Sequence, residues 1–132
     1  MNIPRILPLA TLLLSLAGTA AAADMFVVAH PGVTLTADDV REVFVGEKQF
    51  AGSVKLAPMD NAALQAEFQS KVLKMDAGRY TTVWSKKGFR EGLTPPAVRG
   101  TDNEVNASVK STPGAIGYVS KPGPDVKVIH KF

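Results

Sequence analysis

The segment Pro113-Gly114-Ala115-Ile116-Gly117-Tyr118-Val119 restricts the fold of this chain more than any other. Pro113 and Gly114 stop whatever helix precedes them, because proline lacks the amide proton and glycine favours a sharp reversal. The apolar run that follows is short and holds β-branched and aromatic residues, which is the signature of a buried strand. Gly117 lies inside that run. A glycine in a strand marks a place where another backbone or side chain comes close. Lys121-Pro122-Gly123-Pro124 then turns the chain again. The segment has no nucleophile beside a base and no metal ligand, so this control of the backbone serves shape.

The rest of the chain alternates between two periodicities. Met25 to Ala29 is a compact apolar run ended by His30-Pro31-Gly32 and reads as a strand. Thr36 is a good N-cap for a helix with Asp38 and Asp39 in its first turn, Ala37, Val40, Val43 and Phe44 on one face, and Gly46 after it. Residues 46–53 read as a polar loop around Phe50, and Val54 to Ala57 as a second short strand stopped by Pro58. Asp60 and Asn61 offer N-caps to a helix of about three turns with the stripe Leu64, Phe68 and Val72. Asp76-Ala77-Gly78 opens a further helix carrying Tyr80, Val83 and Trp84, closed by Lys86-Lys87-Gly88. Residues 88–100 read as loop. Thr101 to Glu104 start a short helix with Val105 and Val109, and Val126 to Ile129 form the last strand. This order predicts an α/β domain with a mixed, mostly parallel sheet flanked by helices.

The N-terminus follows a different logic. Arg5 precedes an apolar run from Ile6 to Ala17, broken only by Pro8, Thr11 and Ser15, and then Gly18-Thr19 and four alanines. The run is shorter than the roughly 20 residues that span a bilayer. A basic start, a short apolar stretch and an A-x-A exit are the parts of a secretory signal peptide, with cleavage expected after Ala23. Residues 24–132 are then one domain, long enough to bury a core without disulfides, and the chain has no cysteine. An exported chain without disulfides fits the periplasm. Arg5 is the sole charged residue of the leader, so the whole chain's formal +3 falls by one in the mature part. So small a charge gives no reason to expect nucleic-acid binding. No later stretch is long and apolar enough for a membrane span.

Three stretches taken in order resemble a known family. The first is VTLTADDVREVFVGEKQFAGSVKLAPMDN (33–61), with its Leu-Thr helix start, Phe44-x-Gly46 and a strand ending in proline. The second is AEFQSKVL (66–73), a helix with a central Phe, followed by the aromatic pair Tyr80 and Trp84. The third is STPGAIGYV (111–119). Together they resemble the periplasmic phosphate-binding proteins, the type II solute-binding fold, and most of all its short stand-alone members. The resemblance covers nearly all of residues 24–132. It implies a single lobe of that fold, with the 115–119 strand beside a ligand cleft, a role in solute binding, and a homodimer or another envelope protein to complete any clamp.

The resemblance also places an anion grip before the helix with the central Phe, built from an Arg and then Ser-Gly-Thr at a helix N-terminus. Here those positions hold Pro58, Ala62, Ala63 and Leu64, and a further Arg of the short members is replaced by Gln65. Every side-chain donor of the grip is therefore missing. The ligand-binding residues that remain are Asn61, Ala62 and Ala63, through backbone N–H groups at the helix mouth, with hydroxyls from Ser111 and Thr112, and Asp60 beside them, whose carboxylate would compete for those donors as an N-cap and repel an incoming phosphate. Phosphate or another small oxyanion is the ligand that the resemblance implies, whereas the residues themselves read better as an ordinary helix capped by Asp60. An interaction or sensor-accessory module that has lost ligand binding is the alternative. No metal is expected, since His30 and His130, placed at strand ends where the sheet could make them neighbours, lack a third ligand at motif spacing. No nucleotide or hydrolase motif occurs, and Ser85, Ser108 and Ser111 have no local base, so neither a cofactor nor catalysis is expected. Lys86, Lys87 and Arg90 form a small basic cluster after Trp84, with Arg79 on the same helix, at a helix end where positive charge is favoured.

Overall fold

The structure is a computed structural model and describes residues 24–132. The leader and its cleavage site lie outside the described residues. Five strands form the main sheet in the order β5-β4-β6-β1-β7. They are β1 (Phe26–Ala29), β4 (Ala57–Asn61), β5 (Ala97–Arg99), β6 (Ala115–Val119) and β7 (Lys127–Lys131). β4 runs parallel to both β5 and β6, and β1 runs antiparallel to β6 and β7. Four strands therefore share one direction and β1 opposes them. A separate two-residue hairpin pairs β2 (Phe50–Ala51) with β3 (Val54–Lys55).

The helices are α1 (Ala37–Phe44), α2 (Gln65–Phe68), α3 (Ala77–Glu91) and α4 (Asp102–Ser111). Strand alternation divides the core between the two faces of the sheet. Val27, Ala29, Ile116 and Tyr118 face α1, α2 and α3, and pack with Phe44, Phe68, Leu73 and Trp84. Val28, Met59, Ala115 and Val119 face α4, against Val105 and Val109. The expected α/β sheet flanked by helices is present.

Thr36 caps α1 through a reciprocal box with Asp39: its hydroxyl accepts from the Asp39 N–H and the Asp39 carboxylate accepts from the Thr36 N–H. Asp76 and Thr101 cap α3 and α4. The apolar stripe Leu64, Phe68 and Val72 is buried. Leu64 stands just before α2, Phe68 ends that helix, and Val72 lies in a π-helical stretch, Gln69–Leu73, that ends at Lys74 in the left-handed region.

Several boundaries differ from the sequence reading. The loop around Phe50 contains the β2–β3 hairpin. Pro58 does not stop a strand but lies within β4. The Ala57 N–H points to β6, where it meets the Gly114 carbonyl, so the Pro58 nitrogen points to the other side. There β5 first pairs at Met59, so no ladder bond is lost. α3 passes through Gly88 and stops at Gly92, whose φ of 67° supplies the left-handed cap. The stretch read as loop over 88–100 thus holds the last turn of α3 and also β5.

The glycines of the opening segment have physical counterparts. Gly114 turns at φ 80°, and a Cβ there would stand 2.0 Å from the Lys55 carbonyl oxygen. A Cβ on Gly117 would stand 2.6 Å from Val105 Cγ1. The first glycine lets the β3–β4 corner lie against the start of β6, and the second lets α4 lie against its middle.

Candidate functional site

The site lies where β4 and β6 end, at the carboxyl edge of the parallel strands, where open α/β sheets bind ligands. Alternation along β4 sends Asp60 and Asn61 to opposite faces. Asp60 enters the face covered by α3. Its carboxylate accepts from the Tyr80 hydroxyl at 2.7 Å and from the Tyr118 hydroxyl at 2.9 Å. Tyr118 is itself held by a ring stacked on Phe68, with centroids 3.9 Å apart, and by an edge contact to Phe44. The carboxylate is only 1% exposed. Burial pushes its pKa up, and the hydroxyls of Tyr80 and Tyr118, with Gln65, oppose that rise. Burial and the neighbouring carboxylate push both tyrosines far up as well, so they are donors at all ordinary pH. Among the described residues no ion pair reaches Asp60.

Asn61 enters the other face. Its amide donates to Asp102 at 2.8 Å and to the Tyr118 carbonyl at 3.0 Å, and its oxygen accepts from the Ala63 N–H at 3.1 Å. Asp102, at the first position of α4, also accepts from the N–H groups of Ser120 and Lys121 and from the Ser120 hydroxyl. This knot fastens the ends of β4 and β6 to α4. The Ala62 N–H is bound to the Arg99 carbonyl at 2.8 Å, and Leu64 N–H to the Asn61 carbonyl at 3.0 Å.

The residues chosen from sequence therefore occupy three different environments. Asp60 is not a helix cap, because β4 extends through Asn61 and α2 starts four residues later, at Gln65. The N–H groups of Ala62 and Ala63 are engaged within the chain. Ser111 and Thr112 sit at the opposite edge of the sheet, since they precede β6, whose first residue aligns with Ala57. The Ser111 hydroxyl donates back to the Ala107 carbonyl at 2.9 Å. The two histidines are likewise apart: His30 follows β1, whereas His130 pairs with Val27 near the other end of that strand.

Asp102, Ser120 and the two tyrosines are the members of the site that sequence reasoning missed. Tyr80 and Tyr118 read as core aromatics, and they are; their hydroxyls acquire a role only because β4 carries a carboxylate between them. A cavity of about 260 Å³ opens beside Asp60, lined by Gln65, Tyr80, Thr81, Trp84, Ser85, Pro95, Pro96 and Val98. A second one, of about 360 Å³, shares Trp84 and Pro95 with it and includes Lys48 and Lys55. Among the described residues no helix is long and apolar enough to cross a membrane.

Two of the solved structures similar to this chain are phosphate receptors. One is an ABC-type phosphate transport receptor from Vibrio cholerae, 16% identical, with 81% of this chain and 46% of that chain covered at a TM-score of 0.49. The other is PstS from Borrelia burgdorferi, 16% identical, with 74% of this chain and 41% of that chain covered at a TM-score of 0.44. The chain spans less than half the length of either. No family model and no curated protein matches the sequence.

Proposed function

We propose that the chain is an exported, non-catalytic solute-binding-like domain of the periplasm, resembling the substrate-binding component of a phosphate transporter but without its phosphate grip. The observation that carries this reading is the Asp60 carboxylate, buried without a basic partner where the resemblance would seat an oxyanion. An incoming phosphate would meet a like charge in a poorly solvated place, which costs rather than gains free energy. The side chains that would offset it are absent at 58, 62, 63 and 64, and the N–H groups of 62 and 63 are engaged. Isothermal titration of the purified protein with phosphate, with sulfate as control, tests the reading. No saturable heat is expected in an anion-poor neutral buffer, and saturation at micromolar phosphate would refute it.

A second reading, a periplasmic interaction or sensor-accessory module, is favoured by Phe89. This ring is 93% exposed near the end of α3, beside Arg90 and one turn from Lys86. Loss of an envelope partner on Phe89→Ser, with phosphate and amines without effect, would favour that module.

A further inference from the structure

The cavity beside Asp60 has the wrong charge for an anion and the right one for a cation. Of its lining residues, Asp60 alone carries a charge, and no Lys, Arg or His is among them. Gln65, Thr81 and Ser85 add neutral hydrogen-bonding groups, and the rings of Tyr80 and Trp84 add aromatic surface, which attracts cations. The Tyr80 hydroxyl spends its proton on Asp60. Its oxygen keeps lone pairs that are polarised by that bond, so it can accept from a ligand N–H. A hard metal ion is a poor match, because such ions collect several oxygen ligands, commonly with more than one carboxylate. Among the described residues no group of three or more acidic, His or Cys side chains is arranged to hold a metal. The volume is below the ~300–1,000 Å³ that drug-sized ligands occupy, so the occupant is small.

We propose that this cavity binds a small organic cation, a primary ammonium ion on a short apolar stem, with Asp60 as the counter-charge, Tyr80 as the relay between them, and Trp84 and the prolines around the stem. The positions at which the resemblance puts arginines hold Pro58 and Gln65, while a carboxylate stands at Asp60, so the polarity of the site is the reverse of an oxyanion grip. The inference rests on the reading of the chain as a solute-binding domain.

The test uses n-butylammonium chloride, with n-butanol as its uncharged counterpart and sodium phosphate as the anion. Trp84 is the single tryptophan and lines the cavity, so its emission reports binding at that wall. Saturable quenching or shift by butylammonium is expected, with butanol at least about tenfold weaker and phosphate without effect. Asp60→Asn, checked by circular dichroism, is expected to weaken butylammonium by about tenfold or more and leave butanol unchanged. Should that variant fail to fold, the contrast between butylammonium and butanol on the natural protein decides the matter. Equal affinity for the two, or an unchanged affinity in a folded Asp60→Asn, overturns the cation site. No response to any of the three overturns it too, while leaving the absence of a phosphate grip in place. A phosphate response without an ammonium response overturns both readings.

Discussion

Three glycine-to-alanine variants separate two costs that Gly114 combines. Gly52, in the β2–β3 turn, has φ 61° and nothing within 4 Å of a built Cβ. Alanine there meets backbone strain alone, about 1–2 kcal/mol. Gly117 has ordinary backbone, but its Cβ would press on Val105 Cγ1 at 2.6 Å, with the Met59 carbonyl and Val109 at 3.5 Å. Val105 is fully buried and stiff at χ1, so it cannot swing clear. Overpacking of this kind costs about 1–3 kcal/mol. Gly114 has both faults: φ 80°, and a carbonyl oxygen 2.0 Å from the new carbon. A backbone oxygen moves only with its strand, so the two costs add to about 2–5 kcal/mol. That is a large part of the ~5–15 kcal/mol that holds a domain together. Urea unfolding followed by far-UV circular dichroism ranks the three, with Gly114→Ala lowest. Val105→Ala should recover part of the loss in Gly117→Ala through a positive coupling in the double-mutant cycle, and nothing in Gly114→Ala. The packing account fails if Gly114→Ala matches Gly52→Ala, or if Val105→Ala makes the Gly117→Ala loss fully additive.

Other expectations follow from the site. Burial raises the Asp60 carboxyl above its ordinary value of 3.8, so its contribution to stability is fully present below that value and is lost as pH rises through the folded one. Asn cannot ionise, and Asp60→Asn should therefore gain stability relative to the natural protein from acid to neutral pH; urea midpoints across that range would contradict this if the difference stayed flat. Tyr118→Phe keeps the ring on Phe68 but leaves one Asp60 oxygen without its donor, at about 1–3 kcal/mol by neutral-pH urea unfolding, with a smaller loss in acid. Asp102→Ala releases its bonds to Asn61, Ser120 and Lys121 and should cost about 1.5–3 kcal/mol, with amide exchange accelerated at 120 and 121. Phe89→Ser should change stability by less than ~0.5 kcal/mol in the same unfolding assay, since its ring is exposed.

Local chemistry made some elements readable and hid others. Thr36 with Asp39, Asp76 and Thr101 announce helix starts because capping is decided within one turn. Pro113-Gly114 marks the end of α4 for the same reason. Pro58 misleads because its tolerance depends on a distant neighbour: only the late start of β5 leaves that side of β4 unpaired. Gly88 misleads because a glycine can either cap a helix or continue it, and the left-handed residue here is Gly92. β5 itself is three exposed residues with no apolar period, so its pairing with β4 is the whole of its identity.

The site was hidden by register rather than by composition. Asp60-Asn61 before an apolar stripe reads as a helix cap, and in a shorter strand it would be one. Two further residues of β4 turn the same dipeptide into a buried carboxylate on one face and a buried amide on the other. The carboxylate then needs donors, and Tyr80 and Tyr118 supply them from α3 and β6; the amide meets Asp102 and locks α4 to the strand ends. A position that would have displayed backbone N–H groups to an anion instead bonds them internally and presents negative charge toward a cavity. The loss of basic side chains and the extension of β4 thus act in the same direction. Restoring Arg at 58 alone should therefore pair with Asp60 rather than capture phosphate: titration of Pro58→Arg is expected to stay without saturable phosphate heat while butylammonium affinity falls, and phosphate binding by that single variant would show that the N–H groups at 62 and 63 remain available.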